Sequence, residues 1–184
     1  MRELPNDMIG NSIRLLLGTG MREQELLALT KEDIAPDGST IRINKAVQTV
    51  DGKPKLGPPK SKRSNRSIPV PQKYVPFALY VRKNGAQPFL WTLSYKSELC
   101  GVGTFRRKYK RVLAEIDGVR LLNPHCCRHT YITRLQAMGV PMETIARLAG
   151  HGKIETTDVY LHTSLDTLAK AVEKLNDEKG GDAA

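Results

Sequence analysis

The sequence predicts an α+β domain, mainly helical, with a small antiparallel β-sheet at one edge. Three observations lead there. Apolar residues recur at helical spacing near the start and throughout the last third of the chain. Two runs rich in Ile, Val and Thr, over 40–44 and 46–50, are followed by the hairpin signal Asp51-Gly52. The length, 184 residues, is room for one domain whose core needs neither disulfides nor a structural metal.

The elements follow in order. A helix is expected over 6–17, with Ile9, Ile13, Leu16 and Leu17 on one stripe, stopped by Gly18 and Gly20. A short second helix covers 22–29. Ala35-Pro36-Asp37-Gly38 is a turn, and the two strands come next. The stretch 53–67 holds three prolines and many cations and reads as an exposed loop or wide hairpin leading into a strand at 67–70. Helices are expected over 71–83, where Pro76 is a weak point, and over 102–116, with a short apolar segment at 89–93 between them. Asn123 is an N-cap candidate with Pro124 in the first helical position, where its missing N–H costs nothing. That helix ends at Gly139. Pro141 opens another, with Met142, Ile145, Leu148 and Ala149 as its buried stripe and Gly150 as its stop. Thr163-x-x-Asp166 resembles a capping box for a last helix whose apolar face is Leu165, Leu168, Ala169, Val172 and Leu175. One domain over 1–176 is expected, with 177–184 a polar, disordered tail.

Composition narrows the class. No apolar run reaches the roughly 18 residues of a membrane span, and MRELPNDMIG lacks the apolar segment of a secretory signal, so no membrane association and a cytoplasmic location are expected. Three cysteines, two of them adjacent at Cys126 and Cys127, are a poor disulfide framework. Net charge is +10, and its placement says more than its size. Residues 52–114 carry fifteen Lys or Arg against Glu98 alone, whereas the rest of the chain is slightly acidic. Such a block attracts a polyanion by Coulomb forces and counterion release. A solvated basic face without a partner is the plainer alternative.

Four boxes could carry chemistry. In His125-Cys126-Cys127-Arg128-His129 the first histidine and the arginine share a helix face near free backbone N–H groups, which suits a phosphate. Taken alone, such a pair is more commonly a solvated face. His125 and His129 also admit a zinc reading, but there is no Cys-x-x-Cys, and Cys126 and Cys127 point to different sides of the helix. Cys127 as a nucleophile competes with cysteine as a small buried residue. The second box is Leu148-Ala149-Gly150-His151, with Tyr160 nine residues beyond the histidine. The third is Gly18-Thr19-Gly20-Met21-Arg22-Glu23-Gln24-Glu25, where Arg22 lands at a helix start and could simply pair with Glu25. The fourth is the run from Lys60 through Lys62, Arg63 and Arg66 to Ile68-Pro69-Val70.

Together these boxes resemble the tyrosine recombinases, the phage integrase family. The family pattern Gly-x-Arg-x-x-Glu is matched at Gly20, Arg22 and Glu25. A hairpin lysine before Arg-x-Ile/Val-Pro is matched by Lys60, Arg66, Ile68 and Pro69, with Lys62 as the other candidate lysine. His-x-x-Arg-His falls on His125, Arg128 and His129, and Leu-x-Gly-His with its later tyrosine on Leu148, Gly150, His151 and Tyr160.

The resemblance covers nearly the whole chain and implies an integrase-like catalytic domain that cleaves and rejoins DNA without metal or cofactor. By the resemblance, Tyr160 attacks the scissile phosphate, leaving a 3′-phosphotyrosyl bond and a free 5′-hydroxyl. Arg22 and Arg128 clamp the phosphate, His125 accepts the proton, His151 hydrogen-bonds the phosphate and Lys60 protonates the leaving oxygen. Glu25 and His129 support them. Lys53, Lys55, Lys62, Arg63, Arg66, Arg106 and Arg107 would track DNA backbone.

Double-stranded DNA is the partner this implies, with association of the chain with the nucleoid and self-association on DNA through the last helix; packing of that helix on its own domain is the alternative. Family members place a helical DNA-binding domain before the arginine box. Here Arg22 comes almost at once, so the expectation is a catalytic domain alone. Three other readings stay open: a DNA-relaxing enzyme of the type IB topoisomerase kind, a DNA-binding protein on an inactive recombinase fold, and a hydrolytic nuclease, for which no acidic metal-ligand cluster is visible.

Overall fold

The computed structural model describes residues 4–59, 64–93, 98–150 and 165–176. Helix α1 (Met8–Thr19) is the central element. Asp7 caps it by accepting from the Gly10 N–H at 2.8 Å. Gly20 ends it in the left-handed region at φ 61°. The sequence suggests one apolar stripe, but α1 is buried on nearly every side, because α3, α4 and α5 all pack on it. Its polar residues are paired accordingly: Arg14 donates to the Pro5 carbonyl and Thr19 to that of Leu15, and Ser12 accepts from the Trp91 indole at 2.9 Å. The helix also runs through Gly18, which lets the Tyr74 ring lie against the backbone.

Helix α2 (Glu23–Leu27) follows, and then strands β1 (Thr40–Ile43), β2 (Ala46–Val50), β3 (Lys53–Gly57) and β4 (Arg66–Pro69). Strand β1 pairs antiparallel with β4, setting buried Ile41 opposite buried Ile68. Strand β2 pairs antiparallel with β3 through Asp51 and Gly52, both at positive φ, as a two-residue primed turn requires. Of the loop or wide hairpin expected over 53–67, residues 53–57 are therefore the second arm of a hairpin. The small sheet is three two-stranded ladders, the third joining β5 (Thr92–Leu93) to β6 (Glu98–Leu99). Between the first two, Asn44 and Lys45 turn the chain, and Lys45 pairs with buried Asp33.

Helix α3 (Val75–Asn84) begins later than expected, after a single 3₁₀ turn at Gln72–Tyr74, so Pro76 sits in its first turn, where no N–H is missed. Helix α4 (Val102–Ala114) places Phe105 edge-on to Trp91, at 5.2 Å between centroids.

Helices α5 (His125–Ala137), α6 (Met142–Ala149) and α7 (Leu165–Glu173) build a second, smaller core of Tyr131, Leu135, Ile145, Leu148, Leu168 and Val172. Helix α5 starts one residue later than expected, with Pro124 rather than Asn123 in the cap position, and the Asn123 side chain, just before it, accepts from the His125 N–H at 2.9 Å. Two expected core residues are on the surface. Met142 is 58% exposed and lies over the polar end of α5, accepting from Gln136. Leu165 opens α7 and is also exposed. The rest of the α7 face packs on α6 and β4 of its own chain. Among the described residues, no helix is long and apolar enough to cross a membrane. The capping box at Thr163 and the tail at 177–184 lie outside the described residues.

Candidate active site

Arg22 occupies the N-cap of α2 in an extended conformation. Its backbone N–H donates to Glu25 at 2.8 Å, and its guanidinium donates to the other oxygen of that carboxylate at 2.8 Å. The second arm of the fork donates to the Gly150 carbonyl at 3.0 Å. The pairing of Arg22 with Glu25 is thus real, yet it leaves the Arg22 side chain 21% exposed. Glu25 is 2% exposed and also takes two bonds from Arg66, at 3.1 and 3.0 Å. Burial pushes this carboxyl's pKa up, but the hydrogen bonds and charge of Arg66 and Arg22 outweigh it and hold the group below its ordinary value.

Arg128 comes from the second turn of α5 and is 3% exposed. One nitrogen donates to the Gly20 carbonyl at 2.8 Å; Nη2 is buried and finds no hydrogen-bond partner among the described residues. Burial, reinforced by the charges of Arg22 and Arg66, pushes this guanidinium down to about 10. A charge left so short of partners is a standing demand for an anion. Arg22, Arg128 and His125 line one open cleft of about 230 Å³, together with Met21, Glu23 and Arg106. His125 lies at the exposed start of α5, with the His129 ring edge-on at 4.7 Å. Its pKa is lowered by partial burial and by the neighbouring charges of His129, Arg128 and Arg22.

The other expected residues separate into groups. Lys53 and Lys55 are exposed on β3, and Arg107 is exposed on α4, donating to Thr104 at 3.1 Å. Arg106 is half exposed and holds Glu23 through Nε, at 3.0 and 3.2 Å, and through Nη2. Arg66 does not fit the backbone contact expected of it. Its guanidinium is 7% exposed and fully engaged, so a DNA phosphate would have to displace Glu25. Burial also speaks against Cys127 as a nucleophile: it pushes the thiol up to about 11, against the Tyr109 hydroxyl at 3.5 Å. Lys60, Lys62, Arg63, His151 and Tyr160 lie outside the described residues. Sequence reasoning missed Glu23 as part of the cleft. Its place beside Arg22 was the available signal, but its partner is 83 residues away.

The phage integrase family model matches residues 6–166. The chain belongs to the phage integrase family. Within that span Arg22, His125 and Arg128 line one cleft, and Arg22 is bonded to the buried Glu25 carboxylate. The chain is 30% identical over 187 residues to the tyrosine recombinase XerC-like protein of Caldanaerobacter subterraneus subsp. tengcongensis, covering 89% of this chain and 48% of that one. It is 31% identical over 156 residues to tyrosine recombinase XerA of Saccharolobus solfataricus, covering 85% and 46%. The chain thus spans about half the length of these curated relatives. Among solved structures, the Tn1549 transposon integrase in complex with circular intermediate DNA shares the fold. The TM-score is 0.71 at 24% identity, covering 95% of this chain and 63% of that one. The XerA recombinase gives 0.60 at 19% identity, covering 91% and 56%.

Proposed function

We propose that this phage integrase family chain cleaves and rejoins double-stranded DNA at specific sites through a 3′-phosphotyrosyl intermediate, without metal. The observation that carries this reading is the convergence of Arg22, Arg128 and His125 on one cleft, with a buried Arg128 nitrogen unpartnered among the described residues. Among the described residues Arg22, Arg66 and Arg128 surround the Glu25 carboxylate, and Arg106 and Glu23 of the same cleft neutralise each other, so the cluster has a formal charge of +2. A phosphodiester carries one negative charge, and nucleophilic attack adds a second. The cluster therefore matches the charge of the transition state better than that of the ground state.

In this reading Tyr160 supplies the nucleophile, and its proton passes to His125, whose pKa partial burial and its charged neighbours hold below its ordinary value. Arg22 and Arg128 hold the non-bridging oxygens, joined by His151. Lys60, or Lys62, gives a proton to the departing 5′-oxygen. The phosphotyrosyl bond keeps the phosphodiester's energy, so a 5′-hydroxyl of another strand reverses the step. Exposed Lys53, Lys55 and Arg107 contact neighbouring backbone phosphates, and Arg106 does so with the part of its fork that Glu23 leaves open. Self-association on DNA through α7 would require its buried face to exchange its own domain for a neighbour's. Work on DNA places the chain with the cytoplasmic nucleoid.

The test is incubation with a nicked suicide substrate in the presence of a chelator, followed by a denaturing gel. A covalent protein–DNA band that Tyr160→Phe abolishes is expected; a band that persists in that variant moves the nucleophile elsewhere. Strand exchange between two sites, as against relaxation of one circle, separates recombination from topoisomerase action.

A further inference from the structure

We propose that Arg66 is a positioning residue for the cleavage reaction: its guanidinium closes a ring of hydrogen bonds that fixes the Arg22 fork against the end of α6. The inference rests on the recombinase reading above. The ring can be followed atom by atom. Arg66 Nε donates to the Leu148 carbonyl at 2.8 Å. Its two terminal nitrogens donate to the two oxygens of Glu25. Glu25 accepts from Arg22, and Arg22 donates to the Gly150 carbonyl, two residues beyond Leu148. The last turn of α6 is therefore held by two guanidiniums that share one carboxylate.

The arrangement is over-determined. Arg66 Nη1 also donates to the Ser64 carbonyl at 3.0 Å, so no nitrogen of the fork is left to solvent. Gly150, at φ 69°, would bring a Cβ to 2.8 Å from Arg66 Nη1, so the end of α6 rests directly on the guanidinium. A lysine here could keep the charge but not the planar fork that serves Leu148 and both Glu25 oxygens at once. Remove the fork and, among the described residues, Glu25 is held by Arg22 alone, so the Arg22–Glu25 pair loses its tie to β4 and shifts relative to Arg128. Misplacement of a clamp by about 1 Å can slow a reaction on the order of 10²-fold.

The test is single-turnover attachment to the suicide substrate by the unaltered full chain, Arg66→Lys and Arg66→Ala, with DNA affinity and thermal midpoint measured alongside. Arg66→Lys is expected to attach about 10²-fold more slowly, with DNA affinity and its salt dependence unchanged. Arg66→Ala is slower still, and adding Glu25→Gln costs little more, because both act through one ring. A Lys variant as fast as the unaltered chain overturns the proposal. So does a smaller fraction of attaching molecules whose rate is intact, the mark of a purely structural arginine. So does weaker DNA binding with a salt slope reduced by about one, the mark of a phosphate contact. If Arg66→Ala does not fold, the Lys variant decides alone. No attachment by the unaltered chain is a separate result, and it would remove the recombinase reading itself together with this inference.

Discussion

Arg128 carries a guanidinium where burial and two like charges oppose it, with only the Gly20 carbonyl as a described partner. Replacing a buried, poorly paired charge by an apolar side chain of similar length is often neutral or stabilising. Arg128→Met is therefore expected to leave the thermal midpoint unchanged or raise it, while single-turnover attachment falls about 10²–10³-fold, as for loss of one transition-state donor. His125 makes a second expectation at this scale. Partial burial, then His129, Arg128 and Arg22, lower its pKa below its ordinary value of 6.5. A proton acceptor must be neutral, so attachment at sub-saturating DNA should rise as pH passes upward through that lowered value and level off above it. His129→Ala removes one of the depressing charges and should move the acid limb to higher pH; a limb that stays put would take His125 out of the proton path. These two residues were legible because His125 and Arg128 sit three apart in one box. Arg66 was not. In sequence it belongs to a run of cations that reads as a solvated loop, and Glu25, which buries it, stands 41 residues earlier.

At the scale of elements, the design turns on α1 as a helix enclosed by other helices. Leu15 and Leu16 are fully buried, worth about 1.5–3 kcal/mol each. Gly18 lets Tyr74 approach: a Cβ there would sit 2.4 Å from the ring. Gly18→Ala is expected to lower stability by about 1–3 kcal/mol through overpacking, read as a drop in the urea midpoint; an unchanged midpoint would mean that α1 and Tyr74 part easily. Most elements could be read beforehand, because caps and turns are local. Asp7 was not read as a cap and the start of α5 falls one residue beyond Pro124, but Gly20, Asp51-Gly52 and Gly150 act where the sequence puts them. Strand β3 was hidden because Pro54, Lys53 and Lys55 look like loop. A strand paired on one side only tolerates proline, and exposed lysines suit its open edge. Burial all round α1 was not legible either, since the helices that enclose it are distant in sequence.

At the scale of the molecule, charge is divided between two tasks. The sequence block 52–114 carries fifteen cations against one acid, whereas Arg22, Arg66 and Arg128 gather around the buried Glu25 carboxylate. On the proposed reading, the first arrangement attracts a polyanion without regard to sequence, and the second recognises one phosphate and answers the charge that builds during attack. The fold agrees with the family the chain belongs to, and the match spans about half the length of its curated relatives. Activity in the isolated chain is the point on which the reading stands. The most direct measurement is to trap the chain on a suicide substrate, digest it, and find by mass spectrometry which residue carries DNA. A 3′-phosphoryl nucleotide on Tyr160, formed in the presence of chelator and absent from Arg128→Met at short times, is the expected result. No covalent adduct on any substrate, or DNA carried by a residue other than Tyr160, would contradict it.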